Sequence, residues 1–288
     1  MEILIYGTIN SVALALYALG FAMVYGVSRL PNFAHGALYV LSGFITWTVL
    51  NTLGLNYFLS ILVSFAATAI IGALIYQFVL IRIRGMEISE IIASYAIALA
   101  ILEGMRWAGF KGMNYTLPVF IEGSTTIAGV TVDVHRLIVV AAGTALFGLL
   151  WVFTRYTRIG LALRGMAQDE RAALMLGIDS DVMAVVAMGM GSLMAAMAAA
   201  LLLPLGNIVV ESGYNVLILA IAVCIVGGIG SWGGAVLAAF IIGFAQILTV
   251  VFIGPHFQQV VALFAIIITL ILKPSGLFGQ QKELEERV

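Results

Sequence analysis

The chain has 288 residues, of which 63% are hydrophobic and only 9% charged, with a formal net charge of −1. Soluble domains carry about 25% charged residues, so this composition excludes a soluble protein and points to the bilayer. The balanced charge gives no footprint for nucleic acid, and the single cysteine, Cys224, excludes an internal disulfide.

Nine apolar segments follow in chain order: Ile3–Val27, Gly36–Leu53, Tyr57–Leu80, Ile88–Trp107, Leu137–Thr154, Val182–Leu203, Val216–Gly230, Gly234–Ile253 and Phe257–Leu272. About 20 helical residues cross a hydrocarbon core of about 30 Å. The start, Met1-Glu2-Ile3, has neither a basic n-region nor a small-residue cleavage site, so it reads as the first membrane helix. The expected fold is an all-α polytopic membrane protein of about nine (8–10) transmembrane segments, forming one transmembrane domain over 1–288. Gly36–Leu53 and Val216–Gly230 are short, and either can be a half-helix or a re-entrant piece enclosed by protein.

Basic residues in the short connections set the orientation. Arg29, Arg82, Arg84, Arg155, Arg158, Arg164, Arg171, Lys273, Lys282 and Arg287 fall on one side, against Lys111 and Arg136 on the other. This asymmetry predicts an outside amino terminus and a cytoplasmic carboxyl terminus.

Between two charge-free stretches lies a charged island, Arg155–Asp181, whose 27 residues hold four Arg and four acids. The orientation makes 155–181 a cytoplasmic loop. Within it, Ala167–Gly177 has helix start and stop signals: Asp169 can cap, Glu170 suits the positive helix start, and Gly177 can take the left-handed stop. A helix with its own caps is built to dock onto something.

Most of the 31 glycines, together with Ala195, Ala198 and Ala199, fit close helix packing. Two clusters differ. Val27–Gly36 interrupts an apolar run with Pro31 and three polar side chains, and Gly227–Gly234 places five glycines in eight residues. Such breaks are either openings in a transport path, which would involve Asn32, His35, Gly228 and Gly230, or tight turns at the membrane face. Asn32 would then be a cap for the second segment. Glu103 and Arg106, three residues apart within the fourth segment, are either a functional buried charge or an interfacial ion pair.

The absences separate mechanisms. No Gly-Lys pair occurs, so there is no phosphate-binding loop of the Walker A kind. Neither His-Glu-x-x-His nor Gly-x-Ser-x-Gly occurs, and the three histidines, His35, His135 and His256, stand in distant connections. The chain is therefore not expected to be an enzyme. Few acids lie within the helices, whereas a proton- or sodium-coupled carrier needs several; a pore subunit driven by a separate motor fits better.

Three motifs carry a resemblance. Leu16-Tyr17-Ala18-Leu19 with Asn32-Phe33-Ala34-His35-Gly36, then Arg164–Ile178, then Gly227–Val236 resemble, in order, the opening, the cytoplasmic signature and the late glycine-rich block of the H-type (LivH-like) permease of bacterial branched-chain amino acid ABC importers. The resemblance implies a multi-pass permease of the bacterial cytoplasmic (inner) membrane, in contact with membrane lipid. It also implies an M-type permease partner, two cytoplasmic ABC ATPase subunits and an external substrate-binding protein that delivers the amino acid. No cofactor is expected in this chain, ATP and Mg²⁺ belonging to the ATPases. The ATPase-coupling residues would be Arg164, Ala167, Gln168, Asp169, Arg171, Ala172, Ala173 and Gly177. The resemblance assigns no path residues; on physical grounds alone the path or gate would be drawn from Asn32, His35, Gly228, Gly230 and Glu103. Ala37 stands where an acidic residue often follows His35-Gly36 in the family, and Trp232 is bulkier than usual, so the substrate stays open among a branched-chain amino acid, a urea-like amide and an aromatic acid. The alternative reading is an ion-coupled secondary transporter that uses Glu103 and His35 without an ATPase.

Overall fold

A computed structural model of the chain describes residues 1–29, 31–110, 115–228 and 230–279. Lys111, Lys282 and Arg287, used in the orientation argument, lie outside the described residues. Each of the nine apolar segments is a helix: α1 Glu2–Ser28, α2 His35–Thr52, α3 Tyr57–Phe78, α4 Glu87–Trp107, α5 Val134–Tyr156, α8 Ser180–Leu202, α9 Ser212–Gly227, α10 Trp232–Phe252 and α11 Gln258–Leu272. Two further helices, α6 Arg158–Gln168 and α7 Glu170–Met175, make up the charged island.

Seven spans are long and apolar enough to cross a membrane, those of α1, α3, α4, α5, α8, α10 and α11. The two segments flagged as short are the two that fall outside this set. Helix α9 has 16 residues, and α2 is diluted by His35, Asn51 and its threonines. Both are largely buried within the bundle. A helix screened by protein does not need a continuous apolar surface, because lipid never reaches it.

Helix α1 is the centre of the bundle. It is apolar on all sides, as a fully enclosed helix must be, and packs against α5, α6, α8, α9 and α10. Helix α2 lies against α3, α4, α8 and α9, while α11 rests at the periphery on α9 and α10. Small residues permit the closest approaches. A Cβ added to Gly36 would overlap the Gly213 carbonyl of α9, and one on Gly20 would come within 2.9 Å of Met194 Cβ on α8. On α8 itself Gly191, Ala195, Ala198 and Ala199 are all buried, so the packing expected of this small-residue face is present.

Among the described residues, one two-stranded sheet departs from the all-α expectation. Ser124–Ile127 (β1) and Val130–Asp133 (β2) form an antiparallel hairpin, with Thr125 opposite Val132. The alternation Thr131-Val132-Asp133 buries only Val132, a pattern too short to register beside the apolar runs. His135 anchors the loop before the hairpin: its Nδ1 accepts from the Phe120 amide at 3.3 Å, and its Nε2 donates to the Leu201 carbonyl at 2.9 Å.

The two ends of the bundle differ in charge. Arg29, Arg82, Arg84, Arg155, Arg158, Arg164, Arg171 and Lys273 gather at the end that holds α6 and α7. The opposite end holds the hairpin, Arg136 and Arg106.

Candidate functional site

The island folds as two capped helices. Thr157 starts α6 by accepting the Gly160 amide at 3.0 Å. Leu163 and Met166, one turn apart, bury the inner face of α6 beside Val27 and Ala187. Asp169 then caps α7 by accepting the Ala172 amide at 3.1 Å, with Glu170 as the first helical residue. At the far end Gly177 takes φ 80°, and the Ile178 amide closes back onto the Ala173 carbonyl at 3.2 Å. That left-handed closure is cheap only for glycine.

The residues expected to form one helix are thus divided between two. Ala167 and Gln168 belong to the last turn of α6, so the short helix starts at Glu170 and not at Ala167. The backbone turns at Asp169 because its φ and ψ are extended.

The eight residues singled out for coupling do not share one face. Ala173 is buried against Leu163 and Met166, so its side chain seats α7 on the bundle. Arg164, Ala167 and Gln168 line a cavity beneath α6. The outward surface is formed by Arg171, Ala172 and three apolar side chains that sequence reading passed over: Leu174 at 47% exposure, Met175 at 91% and Leu176 at 81%. An apolar tip at a charged bundle end is the kind of exposed surface that marks an interaction site.

Arg84, in the turn before α4, holds this element. Its guanidinium donates to Glu170 Oε1 at 2.8 Å and to Ser180 Oγ at 3.0 Å, and pairs with Asp181. One side chain thereby ties the start of α7 to the start of α8. Sequence gave no sign of this, because its partners lie 86 to 97 positions away.

The residues expected at a path or gate are scattered. Asn32 is buried; its Oδ1 accepts the Ala34 amide at 3.0 Å and its Nδ2 points at Met188 Sδ, 3.3 Å away. This Asx turn leads into α2, whose formal N-cap is Ala34. His35 is also buried, its Nε2 donating to the Tyr17 carbonyl at 2.9 Å and its ring edge-on to Phe21. Gly228, at φ 99°, faces the backbone of Gly279 at a distance that leaves no room for a Cβ. The Leu277 and Phe278 amides donate to the Val226 and Gly227 carbonyls at 2.9 and 3.1 Å, so a segment after α11 seals the glycine break. Gly230 lines the cavity beneath α6. Glu103 is exposed at the opposite end, bonded to Arg106 at 2.7 Å, and Arg106 continues to Glu211 at 2.6 Å. Glu103 and Arg106 thus form an ion pair, extended by Glu211, the residue before α9.

Two cavities flank the centre of the bundle. At the hairpin end, about 240 Å³ is enclosed by Tyr17, Tyr39, Leu202, Asn207 and Asn215. At the arginine-rich end, about 490 Å³ lies between the ends of α1 and α5, the α6 helix and the start of α10. Glu103, Asn32 and His35 line neither.

Residues 3–271, which take in all three motifs, match the model of a family described as the permease component of the branched-chain amino acid transport system. The chain belongs to this family. The permease is 30% identical over 281 residues to the high-affinity branched-chain amino acid transport system permease protein BraD of Pseudomonas aeruginosa, covering 92% of this chain and 91% of that protein. It is 28% identical over 290 residues to the corresponding protein LivH of Escherichia coli K12, again covering 92% and 91%. Against the probable branched-chain amino acid transport permease protein LivH of Methanocaldococcus jannaschii the identity is 26% over 293 residues, covering 94% and 90%. Among solved structures it resembles PsaBC from Streptococcus pneumoniae in complex with Fab, with a TM-score of 0.53 over 100% of this chain and 96% of that one. The identity there is 12%, so that likeness concerns the fold alone. The resemblance read from three motifs holds over nearly the whole permease.

Proposed function

We propose that the permease is the membrane subunit of an ATP-driven importer in the bacterial cytoplasmic membrane, translocating branched-chain or related amino acids delivered by an external binding protein. ATP and Mg²⁺ are held by two cytoplasmic ABC ATPase subunits, and an M-type permease completes the pore. The chain is one transmembrane domain over 1–288, with 155–181 as its coupling loop. All nine apolar helices cross the bilayer, and an odd number leaves the amino terminus outside and the carboxyl terminus in the cytoplasm. The concentration of arginines at the α6–α7 end supports that orientation.

The observation that carries the reading is α7. It is a six-residue helix, capped at both ends and fixed by Arg84, that presents Leu174, Met175 and Leu176 away from the bundle. A short rigid helix with an apolar tip fits a groove on a partner, and one or two such anchors carry most of the energy of a small interface. Motion in an ATPase groove would pass through α7 to the start of α8 by way of Arg84. The test compares amino acid uptake in vesicles with and without the ATPases, using the parental chain and Met175→Glu. Uptake that requires the ATPases and is lost in Met175→Glu, with membrane insertion intact, is expected. ATPase-independent uptake, or full coupling in Met175→Glu, overturns the reading.

A further inference from the structure

The cavity of about 490 Å³ beneath α6 has an unusual lining: among the described residues it holds three arginines, Arg29, Arg155 and Arg164, and no carboxylate. Arg29 comes from the end of α1, Arg155 from the end of α5 and Arg164 from α6, so three separate elements converge their cations on one space. Among the described residues, none of the three is seen in an ion pair with a carboxylate, whereas Arg84, Arg106 and Arg136 each are. Three cationic side chains lining one space repel, and an anion in that space relieves the repulsion. The start of α10, with Trp232 and Gly233 on the lining, turns the positive end of a helix dipole to the same space.

The surroundings select the kind of anion. A zwitterionic amino acid would bring an ammonium into a site already carrying three positive charges, so transported substrate is a poor fit. Trp151 lines the cavity, with the Arg155 guanidinium 5.3 Å from its ring centroid. From there α5 presents Leu149 and Val152, both exposed, on a surface that runs toward the middle of the bilayer. Tryptophan and arginine at a helix end, continuous with an exposed apolar face, form the boundary where a lipid headgroup meets its acyl chains. We propose that this cavity binds the headgroup of an anionic phospholipid, with Arg29, Arg155 and Arg164 on the phosphate and the acyl chains along Leu149 and Val152 of α5. Arginine suits the task because its planar fork matches phosphate oxygens in pairs. The assignment of that lipid to the cytoplasmic leaflet rests on the proposed orientation; the binding does not. Lipid here would clamp α6, and hence the base of α7, to the bundle.

The test uses the assembled complex in nanodiscs of phosphatidylcholine containing increasing phosphatidylglycerol. Trp151 and Trp232 report occupancy through quenching by brominated phosphatidylglycerol, with brominated phosphatidylcholine as the background. Saturable quenching specific to phosphatidylglycerol is expected. Its apparent affinity should fall at least about tenfold in Arg155→Gln/Arg164→Gln, each lost charge near a membrane being worth a few-fold or more. Arg158→Gln, on α6 but outside the cavity lining, should keep the parental affinity and shows that loss of charge on α6 does not act alone. Arg155→Lys, which keeps the charge and loses the fork, should fall between. Equal quenching by both lipids, or no effect of the double variant, overturns the proposal. So does competition by millimolar inorganic phosphate, which would mark a small-anion site. Saturable quenching that appears only after removal of residues 280–288 also overturns it, because the occupant would then be a carboxylate of the chain itself.

Discussion

Replacing Arg84 with glutamine removes a guanidinium that holds Glu170, Ser180 and Asp181 together. The side chains of Arg84 and Glu170 are about a third exposed (34% and 32%) and that of Asp181 about half (51%). Partly exposed ion pairs are worth about 0.2–1 kcal/mol each, the more exposed one falling at the low end. The Ser180 bond adds about 1 kcal/mol. The sum is about 2 kcal/mol, or roughly 30-fold in the balance between docked and released α7, since 1.4 kcal/mol is a factor of ten. Six residues are far too few for a helix to persist without such support, isolated helices being marginal below about 12–15 residues. Amide hydrogen exchange followed by mass spectrometry should therefore show peptides covering 169–178 exchanging faster by one order of magnitude or more in Arg84→Gln, with α5 peptides unchanged. High salt should narrow the difference by screening the parental contacts. Arg84→Lys should be intermediate, because an ammonium cannot span three acceptors in a fork. Arg82→Gln, which changes the neighbouring basic residue, should match the parent. Unchanged exchange in 169–178 for Arg84→Gln would refute the clasp, and so would an equal increase in Arg82→Gln.

Gly36→Ala should lower the unfolding midpoint by the equivalent of about 1–3 kcal/mol, because the new methyl meets backbone of α9 that cannot yield cheaply. Gly148→Ala on α5, with open space around it, is the matched control and should be neutral in the same melting experiment. The backbone amide at Glu211 and the Arg106 guanidinium hold the Glu211 carboxyl below its ordinary value of 4.5. Its contribution is therefore present above that value and is lost as pH falls through the depressed one. The melting difference between the parent and Glu211→Gln should persist at neutral pH and vanish in acid, and a difference that grows in acid would reverse the assignment. Cysteines at Ser124 and Met175 should react with an impermeant thiol reagent from opposite faces, Ser124→Cys from outside and Met175→Cys only after permeabilisation. The reverse pattern would invert the orientation and separate α7 from any cytoplasmic ATPase.

The nine helices were legible because each apolar run is closed by a charge, a proline or a glycine cluster, and such punctuation is local. The caps of α7 were legible for the same reason: Asp169 bonds three residues ahead and Gly177 needs only its own φ. What escaped depends on partners distant in sequence. Nothing local marks Arg84 from Arg82, yet only Arg84 meets Glu170 and Asp181. The inward turn of Ala173 depends on Leu163 and Met166 lying under it, which required α6 to be recognised as a separate amphipathic helix. The glycine break between α9 and α10 was seen, but its tight packing reflects the backbone of residues 276–279 and is invisible in the block itself.

That packing also bears on how the protein is made. Val226 and Gly227 offer their carbonyls to Leu277 and Phe278, which leave the ribosome about 50 residues later. Until then the corner between α9 and α10 is an unfinished joint, with glycines on both sides and donors still in the exit tunnel or translocon. A nascent chain released before Gly276 would have all its long apolar helices inserted and still lack this closure. The long helices and the closure of this corner thus depend on different stretches of the chain, and hydropathy alone would count as finished a chain that still lacks the closure.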